Sequence, residues 1–263
     1  MAATKKRVDT LLVEQGLAES RSQAQRLILA GQVRANGQVV VKPAVKVPPD
    51  AVLEVAQGPR FVSRGGEKLQ AALDAFPVEV AGRVCADVGA STGGFTDCLL
   101  QHGAARVYAI DVGKGILHWK LRNDPRVIVM EATNARYVTR LPEPVSLVTV
   151  DASFISLKVL LPVIKGWFES QGDLVVLIKP QFEAGRREAA RGRGVIRDPA
   201  VHRRVLTEVL TFAQEIGYAV RGVTRSPVLG PKGNVEFLAW LTLEDDLTDE
   251  ATLTHWIEAV IRP

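Results

Sequence analysis

Apolar runs and amphipathic stretches alternate along most of the chain. Seven short apolar runs have the length and the β-branched content of buried strands, and they lie at 84–88, 107–110, 127–130, 145–150, 174–178, 219–224 and 235–243. Between most of these runs, apolar residues recur every three or four positions, as in helices that pack on a sheet. This alternation predicts an α/β fold with a doubly wound, seven-stranded and mostly parallel sheet.

The first 58 residues have a different pattern. Apolar spacing predicts a helix that begins near Val8 and ends before Gly16, and Ser20 is the expected N-cap of a second helix. Asn36-Gly37 lies between two short apolar runs, which is a strong signal for a β-hairpin. A break at Gly58-Pro59 then interrupts the pattern. We therefore predict a small α+β domain at 1–58, a linker at 59–63 and a large domain at 64–263.

Composition limits the function without identifying it. The chain has 263 residues, 47% of them hydrophobic and 24% charged, which is typical of soluble globular domains. A net charge of +4 permits a nucleic-acid partner but does not require one. Two cysteines and four scattered histidines do not form a metal-binding pattern. No apolar run approaches the ~18 residues of a membrane span, and no signal core follows the basic N-terminus. We expect a cytoplasmic monomer without a metal.

The segment 84–95 has the features of a nucleotide site. A buried strand runs into the turn Gly89-Ala90-Ser91-Thr92-Gly93-Gly94, and a helix follows from Phe95. Asp111 ends the next strand about 20 residues beyond the turn, the usual position of an acid that binds a ribose diol. The turn departs from the G-x-G-x-x-G pattern of dinucleotide sites, and Asp87 before it would repel a pyrophosphate but suits a cationic ligand.

These features favour S-adenosylmethionine as the cofactor, with an ordinary strand-turn-helix of an α/β protein as the alternative. The carboxyl ends of parallel strands share one edge of a sheet. Residues that directly follow the strands are therefore counted among the predicted cofactor-binding residues. The predicted cofactor-binding residues are Asp87, Gly89, Ala90, Ser91, Thr92, Gly93, Gly94, Phe95, Asp111, Val112, Asn134 and Asp151.

Four charged residues are the candidates for catalysis: Lys68, Asp151, Lys179 and Glu236. A ribose hydroxyl must lose its proton as it attacks a methyl group, and a lysine can assist if it is neutral. Lys179 follows a buried strand, where lost hydration favours the neutral amine, whereas neighbouring carboxylates favour the charged form. The protonation state stays open, and taken singly each of these residues is more often structural than catalytic.

The order Lys-Asp-Lys-Glu resembles the tetrad of the FtsJ-like ribose 2′-O-methyltransferases. The sequences around the four residues strengthen the likeness: Ser63-Arg64-Gly65-Gly66-Glu67-Lys68-Leu69, Ala90-Ser91-Thr92-Gly93-Gly94-Phe95-Thr96, Asp151-Ala152-Ser153-Phe154-Ile155-Ser156, Lys179-Pro180-Gln181-Phe182-Glu183 and Gly233-Asn234-Val235-Glu236. The front domain resembles the RNA-binding domain of ribosomal protein S4 through Arg7-Val8-Asp9, Ser20-Arg21-Ser22-Gln23-Ala24 and Gly31-Gln32-Val33-Arg34-Ala35-Asn36-Gly37.

Together, the two halves resemble the TlyA family of bacterial rRNA methyltransferases, once labelled hemolysins, from end to end. The resemblance implies a Rossmann-like methyltransferase domain and 2′-O-methylation of cytidine in large-subunit (23S) rRNA, and in some members also small-subunit (16S) rRNA. It also implies S-adenosylmethionine as cofactor, rRNA within ribosomal subunits as partner, and tetrad roles for Lys68, Asp151, Lys179 and Glu236. The family's linker often carries a tryptophan where this chain has Phe61.

Basic residues in both domains are predicted to grip RNA phosphates, which positions RNA without reading its sequence. An arginine-rich stretch at 183–197, interpreted as a loop, is placed near the active site; a solvated charged loop is the alternative. The predicted RNA-binding residues are Arg7, Arg21, Gln25, Arg26, Arg34, Lys42, Lys46, Arg64, Arg187, Arg191 and Arg193.

Two other hypotheses remain open at this point. One is a non-catalytic RNA-binding factor for ribosome assembly, against which the intact Lys-Asp-Lys-Glu set argues. The other is a membrane-active hemolysin, which neither a spanning segment nor a strongly basic amphipathic helix supports. Transfer of a labelled methyl group to ribosomal RNA would distinguish the enzyme from both.

Overall fold

The computed structural model describes residues 4–56, 58–244 and 246–262. The chain divides into two compact units, Met1–Arg60 and Phe61–Pro263. Phe61 is 1% exposed and packs in a core of the larger unit. Residues 61–63, which the sequence analysis assigns to the linker, therefore belong to the larger unit.

The smaller unit is an α+β domain. Its elements are β1 (Lys6–Arg7), α1 (Val8–Glu14), α2 (Arg21–Leu29), β2 (Val33–Ala35), β3 (Gln38–Val39), β4 (Lys46–Val47) and β5 (Leu53–Val55). Ser20 caps α2 as predicted, because its side chain accepts from the Gln23 amide. Asn36 and Gly37 both have positive φ, as the hairpin turn between β2 and β3 requires. The pairing of β1 with β4 was not predicted, since strands of two residues have no readable periodicity.

The larger unit is built on a sheet that has seven strands in the described part of the chain. They are β6 (Val84–Val88), β7 (Arg106–Ile110), β8 (Val127–Met130), β9 (Leu147–Val150), β10 (Asp173–Ile178), β11 (Ala219–Arg225) and β12 (Phe237–Thr242). Their order across the sheet is β11-β12-β10-β9-β6-β7-β8. Only β12 runs antiparallel to its neighbours β10 and β11. The predicted seven-stranded, mostly parallel sheet is confirmed.

Helices cover both faces of this sheet. They are α3 (Gly65–Ala75), α4 (Gly94–Gln101), α5 (Trp119–Arg122), α6 (Leu157–Lys165), α7 (Pro180–Glu183), α8 (Arg186–Arg191), α9 (Pro199–Glu215) and α10 (Glu250–Ile261). Successive side chains of a strand point to opposite faces, so Cys85 joins the core under α3 and α4, and Ala86 joins the core under α6, α9 and α10. The sheet is therefore doubly wound, as predicted.

The second half of the chain differs from the sequence analysis in two respects. The arginine-rich stretch is not a continuous loop, because α8 occupies Arg186–Arg191. Its sequence Arg-Arg-Glu-Ala-Ala-Arg consists of strong helix formers, and this preference outweighed the surrounding glycines. The C-terminal helix α10 was not predicted, although its inner residues Leu253, Ile257 and Ile261 are spaced four apart and buried. Within the described residues, we find no helix that is long and apolar enough to cross a membrane.

Candidate active site

The turn between β6 and α4 packs tightly against its own protein. Gly89 has a φ of +83°, and a Cβ there would lie 2.7 Å from the carbonyl oxygen of Asp151. A Cβ on Gly94 would lie 2.7 Å from the amide nitrogen of Gly66 at the start of α3. The close contacts at these two glycines are thus with neighbouring protein atoms. Both glycines also line the first cavity described below, so their predicted contact with the cofactor stays a prediction. The glycines bring the turn, α3 and the end of β9 together at one place.

Asp87, near the end of β6, lies buried beneath the turn. Its side chain is fully buried and accepts hydrogen bonds from the hydroxyls of Thr96, at 2.7 Å, and Thr149, at 3.0 Å. Burial raises the pKa of Asp87 to about 7, although the two hydroxyls act in the opposite direction. Asp87 lines neither of the cavities described below. It ties α4 and β9 to β6 beneath the turn, and its predicted contact with the cofactor stays a prediction.

Two cavities open at the carboxyl edge of the sheet among the described residues, with volumes of about 260 and 270 Å³. Gly89, Ser91 and Asp151 line both of them. The first cavity also borders α3 and the segment 228–231, and its remaining lining residues are Ser63, Arg64, Gly65, Lys68, Ala90, Thr92, Gly94, Phe95, Val228, Leu229 and Pro231. The second lies over the ends of β7, β8 and β9.

The second cavity brings together four of the predicted cofactor residues: Asp111, Val112, Asn134 and Asp151. The carboxylate of Asp111 accepts from the backbone amides of Ser91, at 2.8 Å, and Gly113, at 2.7 Å. These bonds hold the carboxylate at the cavity wall and also link the turn to the end of β7. Val112 is exposed on the same wall, so the cavity combines a fixed carboxylate with apolar surface.

Glu131 supports this cavity, and the sequence analysis missed it. Its carboxylate accepts from the backbone amides of Gly115, Ile116 and Leu117 at 2.8 to 3.1 Å, and from Arg122 at 2.6 Å. Arg122 first, and then the three amides, lower the pKa of Glu131 to about 2. Ile116 lines the second cavity, so Glu131 fixes part of its wall. Backbone donors carry no residue-type signal, which is why spacing alone did not reveal this contact.

The four catalytic candidates form two ion pairs. Lys179 Nζ lies 2.6 Å from Asp151 Oδ1, and Lys68 Nζ lies 2.5 Å from Glu236 Oε2. The antiparallel register pairs Ile178 with Phe237, so Lys179 and Glu236 are the next residues outward on adjacent strands. Lys68, Lys179 and Glu236 are all buried. The structure therefore brings together residues that are up to 168 positions apart in the chain.

Four further residues lie at or near these pairs. Ser153 Oγ accepts from Lys179 Nζ at 3.0 Å, and Gln181 Nε2 donates to Glu236 Oε1 at 3.0 Å. Phe154 is 91% exposed at a φ of +64°, and its ring lies 4.9 Å from that of Phe182. Phe154 also lines the second cavity. All of these lie in the two motifs that begin at Asp151 and Lys179, which is the signal that would have found them.

In the smaller unit, three of the predicted RNA-binding residues converge on one buried acid. Arg7, Arg21 and Gln25 all donate to the carboxylate of Asp9, at 2.8 to 3.2 Å. The Arg7 guanidinium and the other donors hold the pKa of Asp9 well below its usual range, although burial opposes them. Arg7 and Arg21 remain 40% and 57% exposed, so they keep surface for another partner while their positions are fixed.

The other predicted RNA-binding residues lie at the surface. Arg34 donates to the carbonyl of Gly37, and Arg191 pairs with Glu188 at 3.3 Å. Arg64 is exposed and lines the first cavity. The remaining members are exposed without such a role: Arg26, Lys42, Lys46, Arg187 and Arg193. Within the described part of the chain, no group of three or more His, Cys, Asp or Glu side chains is arranged to hold a metal ion.

Comparison with known proteins agrees with both halves. Residues 61–243 match the FtsJ-like methyltransferase family, and residues 6–53 match the S4 domain. The 16S/23S rRNA (cytidine-2′-O)-methyltransferase TlyA of Mycobacterium tuberculosis is 50% identical over 93% of this chain and 92% of its own length. Hemolysin A of Brachyspira hyodysenteriae is 43% identical over 89% of this chain and 98% of its own length.

A solved structure from Streptococcus thermophilus, which also bears the name hemolysin, superposes with a TM-score of 0.72. It is 42% identical and covers 98% of this chain and 96% of the other. The matched span in each of these comparisons is long enough to include both domains. The resemblance stated from the motifs is thereby confirmed, and the chain belongs to the TlyA family of FtsJ-like rRNA methyltransferases that carry an S4 domain.

Proposed function

We propose that this chain transfers a methyl group from S-adenosylmethionine to the ribose 2′-hydroxyl of a cytidine in rRNA, with the 23S RNA of the large subunit as substrate and the 16S RNA of the small subunit as a second candidate. The observation that carries this proposal is that two largely buried ion pairs, Lys179–Asp151 and Lys68–Glu236, lie beside two cavities at the carboxyl edge of the sheet. Two buried lysines fixed by carboxylates suit the activation of a hydroxyl.

The second cavity fits the adenosine part of the cofactor. Asp111 offers a fixed carboxylate for the ribose hydroxyls, and Val112, Ile116 and Phe154 offer apolar surface for a purine ring. The shared wall of Gly89, Ser91 and Asp151 connects this cavity with the first one, where the methionine end would lie. When bound, S-adenosylmethionine supplies an electrophilic methyl group on a sulfonium.

The chain's own residues orient the hydroxyl and receive its proton. Asp151 holds the Lys179 side chain at 2.6 Å and so orients it. Once Lys179 has passed its own proton to Asp151, the neutral amine can take the hydroxyl proton as the oxygen attacks. Ser153 fixes the same amine from another side. Lys68, braced by Glu236, lies in the first cavity and is placed to hold the ribose. Positioning of this kind supplies much of the rate enhancement.

The RNA would be held by basic groups in both units. Arg7 and Arg21, fixed by Asp9, give the smaller unit a preorganised cationic surface. Arg64 brings a guanidinium to the first cavity, where a phosphate of the target strand would lie. An assembly factor without catalysis would need the basic surfaces but not the buried tetrad, so the intact tetrad favours the enzyme.

The test is methyl transfer from labelled S-adenosylmethionine to purified ribosomal subunits, followed by mapping of 2′-O-methylated cytidines. We expect label in rRNA with the wild-type protein and none above background with Lys179→Ala. Lys158→Ala is the matched control, because Lys158 pairs with Glu208 outside the site. Binding of subunits without any transfer would favour the assembly factor, and lysis of erythrocytes without transfer would favour the hemolysin.

A further inference from the structure

Trp119 is an exposed aromatic residue that the proposed site does not use. It is 71% exposed, whereas Trp167 is 2% exposed and the other two tryptophans are half-buried. Among the described residues, Trp119 does not belong to the lining of either cavity. The surrounding segment 112–123 contains lysine, histidine and arginine but no acidic residue. Asp97 and Glu131 pair with Lys120 and Arg122 of this segment, and the two basic side chains remain 58% and 38% exposed. An exposed indole beside exposed cationic side chains is the combination that single-stranded nucleic acid recognises.

The backbone around Trp119 is fixed on both sides. Leu117 and Leu121 are buried in the core beneath it, and Glu131 accepts from three amides of the preceding loop. Asn123 donates its side-chain amide to the Trp119 carbonyl at 2.7 Å. The indole is therefore presented at the surface by a rigid support, which reduces the ordering entropy that a partner would have to overcome.

This support also places Trp119 next to the active site. The His118 amide donates to the carbonyl of Thr92 at 3.1 Å, and Thr92 lines the first cavity. The His118 ring lies 5.9 Å from the indole. Lys120 follows directly. Its side chain is 58% exposed and its ammonium contacts Asp97 at 3.3 Å, so the ammonium has further N–H donors for a phosphate. Aromatic surface and positive charge thus adjoin the rim of the cavity in which we place the target ribose.

We propose that Trp119 is a stacking platform for an unpaired base of the substrate RNA outside the reaction centre. The inference rests on the proposed function, since it takes the RNA to enter the first cavity. An indole face stacks on any base, so the platform holds RNA without selecting its sequence. The charge of the segment favours RNA over an apolar protein surface. Trp119 would raise the affinity for RNA and leave the chemical step unchanged.

Kinetics on ribosomal subunits is the first test. We expect Trp119→Ala to raise KM by roughly five- to 150-fold, the effect of losing one stacked base, with kcat retained. Trp119→Phe should recover part of the loss, because a smaller ring still stacks. Leu247→Ala is the control, since Leu247 is an exposed apolar residue that follows β12, a strand far from β7 and β8 in the order of the sheet. A wild-type KM in Trp119→Ala, or a loss in kcat alone, would overturn the proposal.

Fluorescence gives a second test that does not depend on methyl transfer. A stacked base quenches an exposed indole, so a short single-stranded oligoribonucleotide should quench the wild-type emission at its red edge, and Trp119→Phe should lose that quenching. Quenching that persists in Trp119→Phe would overturn the platform. If the wild-type protein shows this quenching but transfers no methyl group to ribosomal subunits, the proposed function fails while the stacking site stands.

Discussion

The Lys68–Glu236 pair allows the structural and catalytic parts of the site to be separated. The two side chains are 9% and 1% exposed and lie 2.5 Å apart. We consider three variants: Lys68→Met, Glu236→Gln and the double variant Lys68→Met/Glu236→Gln. Removing one partner of a buried ion pair leaves an uncompensated charge and typically costs about 3–5 kcal/mol, whereas replacing both with neutral groups is often close to neutral.

The structure predicts that the two single variants differ. In Lys68→Met, the Glu236 carboxylate stays fully buried with Gln181 as its remaining described donor, so we expect a loss of about 3–5 kcal/mol in the free energy of unfolding. In Glu236→Gln, Lys68 borders the first cavity and can gain water, so the expected loss is smaller, about 1–3 kcal/mol. The double variant should recover most of the stability.

Chemical denaturation and methyl transfer are measured on all three variants and on the wild type. We expect the double variant to lose much less stability than the sum of the two single losses. Methyl transfer should be strongly reduced in every variant, including the stable double one. Additive losses of stability would mean that the two side chains are not paired. Wild-type transfer by the double variant would refute the role of the pair in holding the ribose.

Four further predictions concern the cofactor cavity, the turn and RNA binding. Asp111→Ala should weaken S-adenosylmethionine roughly ten- to 100-fold in calorimetry with the fold retained; unchanged affinity would contradict the ribose role. Glu131→Ala should speed amide exchange at 115–117 and weaken the cofactor, and wild-type exchange would contradict the clamp. Between pH 3.8, the ordinary pKa of Asp87, and its raised pKa of about 7, the folded state binds more protons than the unfolded state. Asp87 therefore makes the free energy of unfolding fall as the pH rises through that range. Asp87→Asn should remove this contribution from the curve of stability against pH. Neutralising Arg187, Arg191 and Arg193 together should flatten the slope of log affinity for RNA against log salt by about 2–3, and an unchanged slope would favour a merely solvated segment.

Much of the fold could be predicted because its signals are local. The seven apolar runs became the seven strands, and the Ser20 cap and the Asn36-Gly37 turn are where the sequence places them. Helix α8 was missed because glycines on both sides of it were given more weight than its own helix-forming residues. Helix α10 was overlooked although its apolar residues recur at helical spacing.

The motifs also indicated which residues gather at the site, since side chains that follow parallel strands share one edge of the sheet. They did not indicate what each side chain contacts there. Asp87 has the position of a ligand-binding acid, but two threonine hydroxyls from α4 and β9 occupy its carboxylate. Gly89 lies in a turn that is typical of ligand sites, but a Cβ on Gly89 would first meet the backbone of Asp151.

The sequence by itself therefore determined the seven strands of the large sheet, the family resemblance and the four charged residues, because periodicity and motif order are properties of the chain alone. Only the tertiary structure decided that Lys179 pairs with Asp151 and Lys68 with Glu236, that Glu131 clamps the loop before Trp119, and that this indole faces outward. The physical reason is that an ion pair or an amide clamp depends on distance and burial. The two ion pairs are set by how β12 and α3 pack around the ends of β9 and β10. The clamp is set by how Glu131, just after β8, lies against the loop before α5.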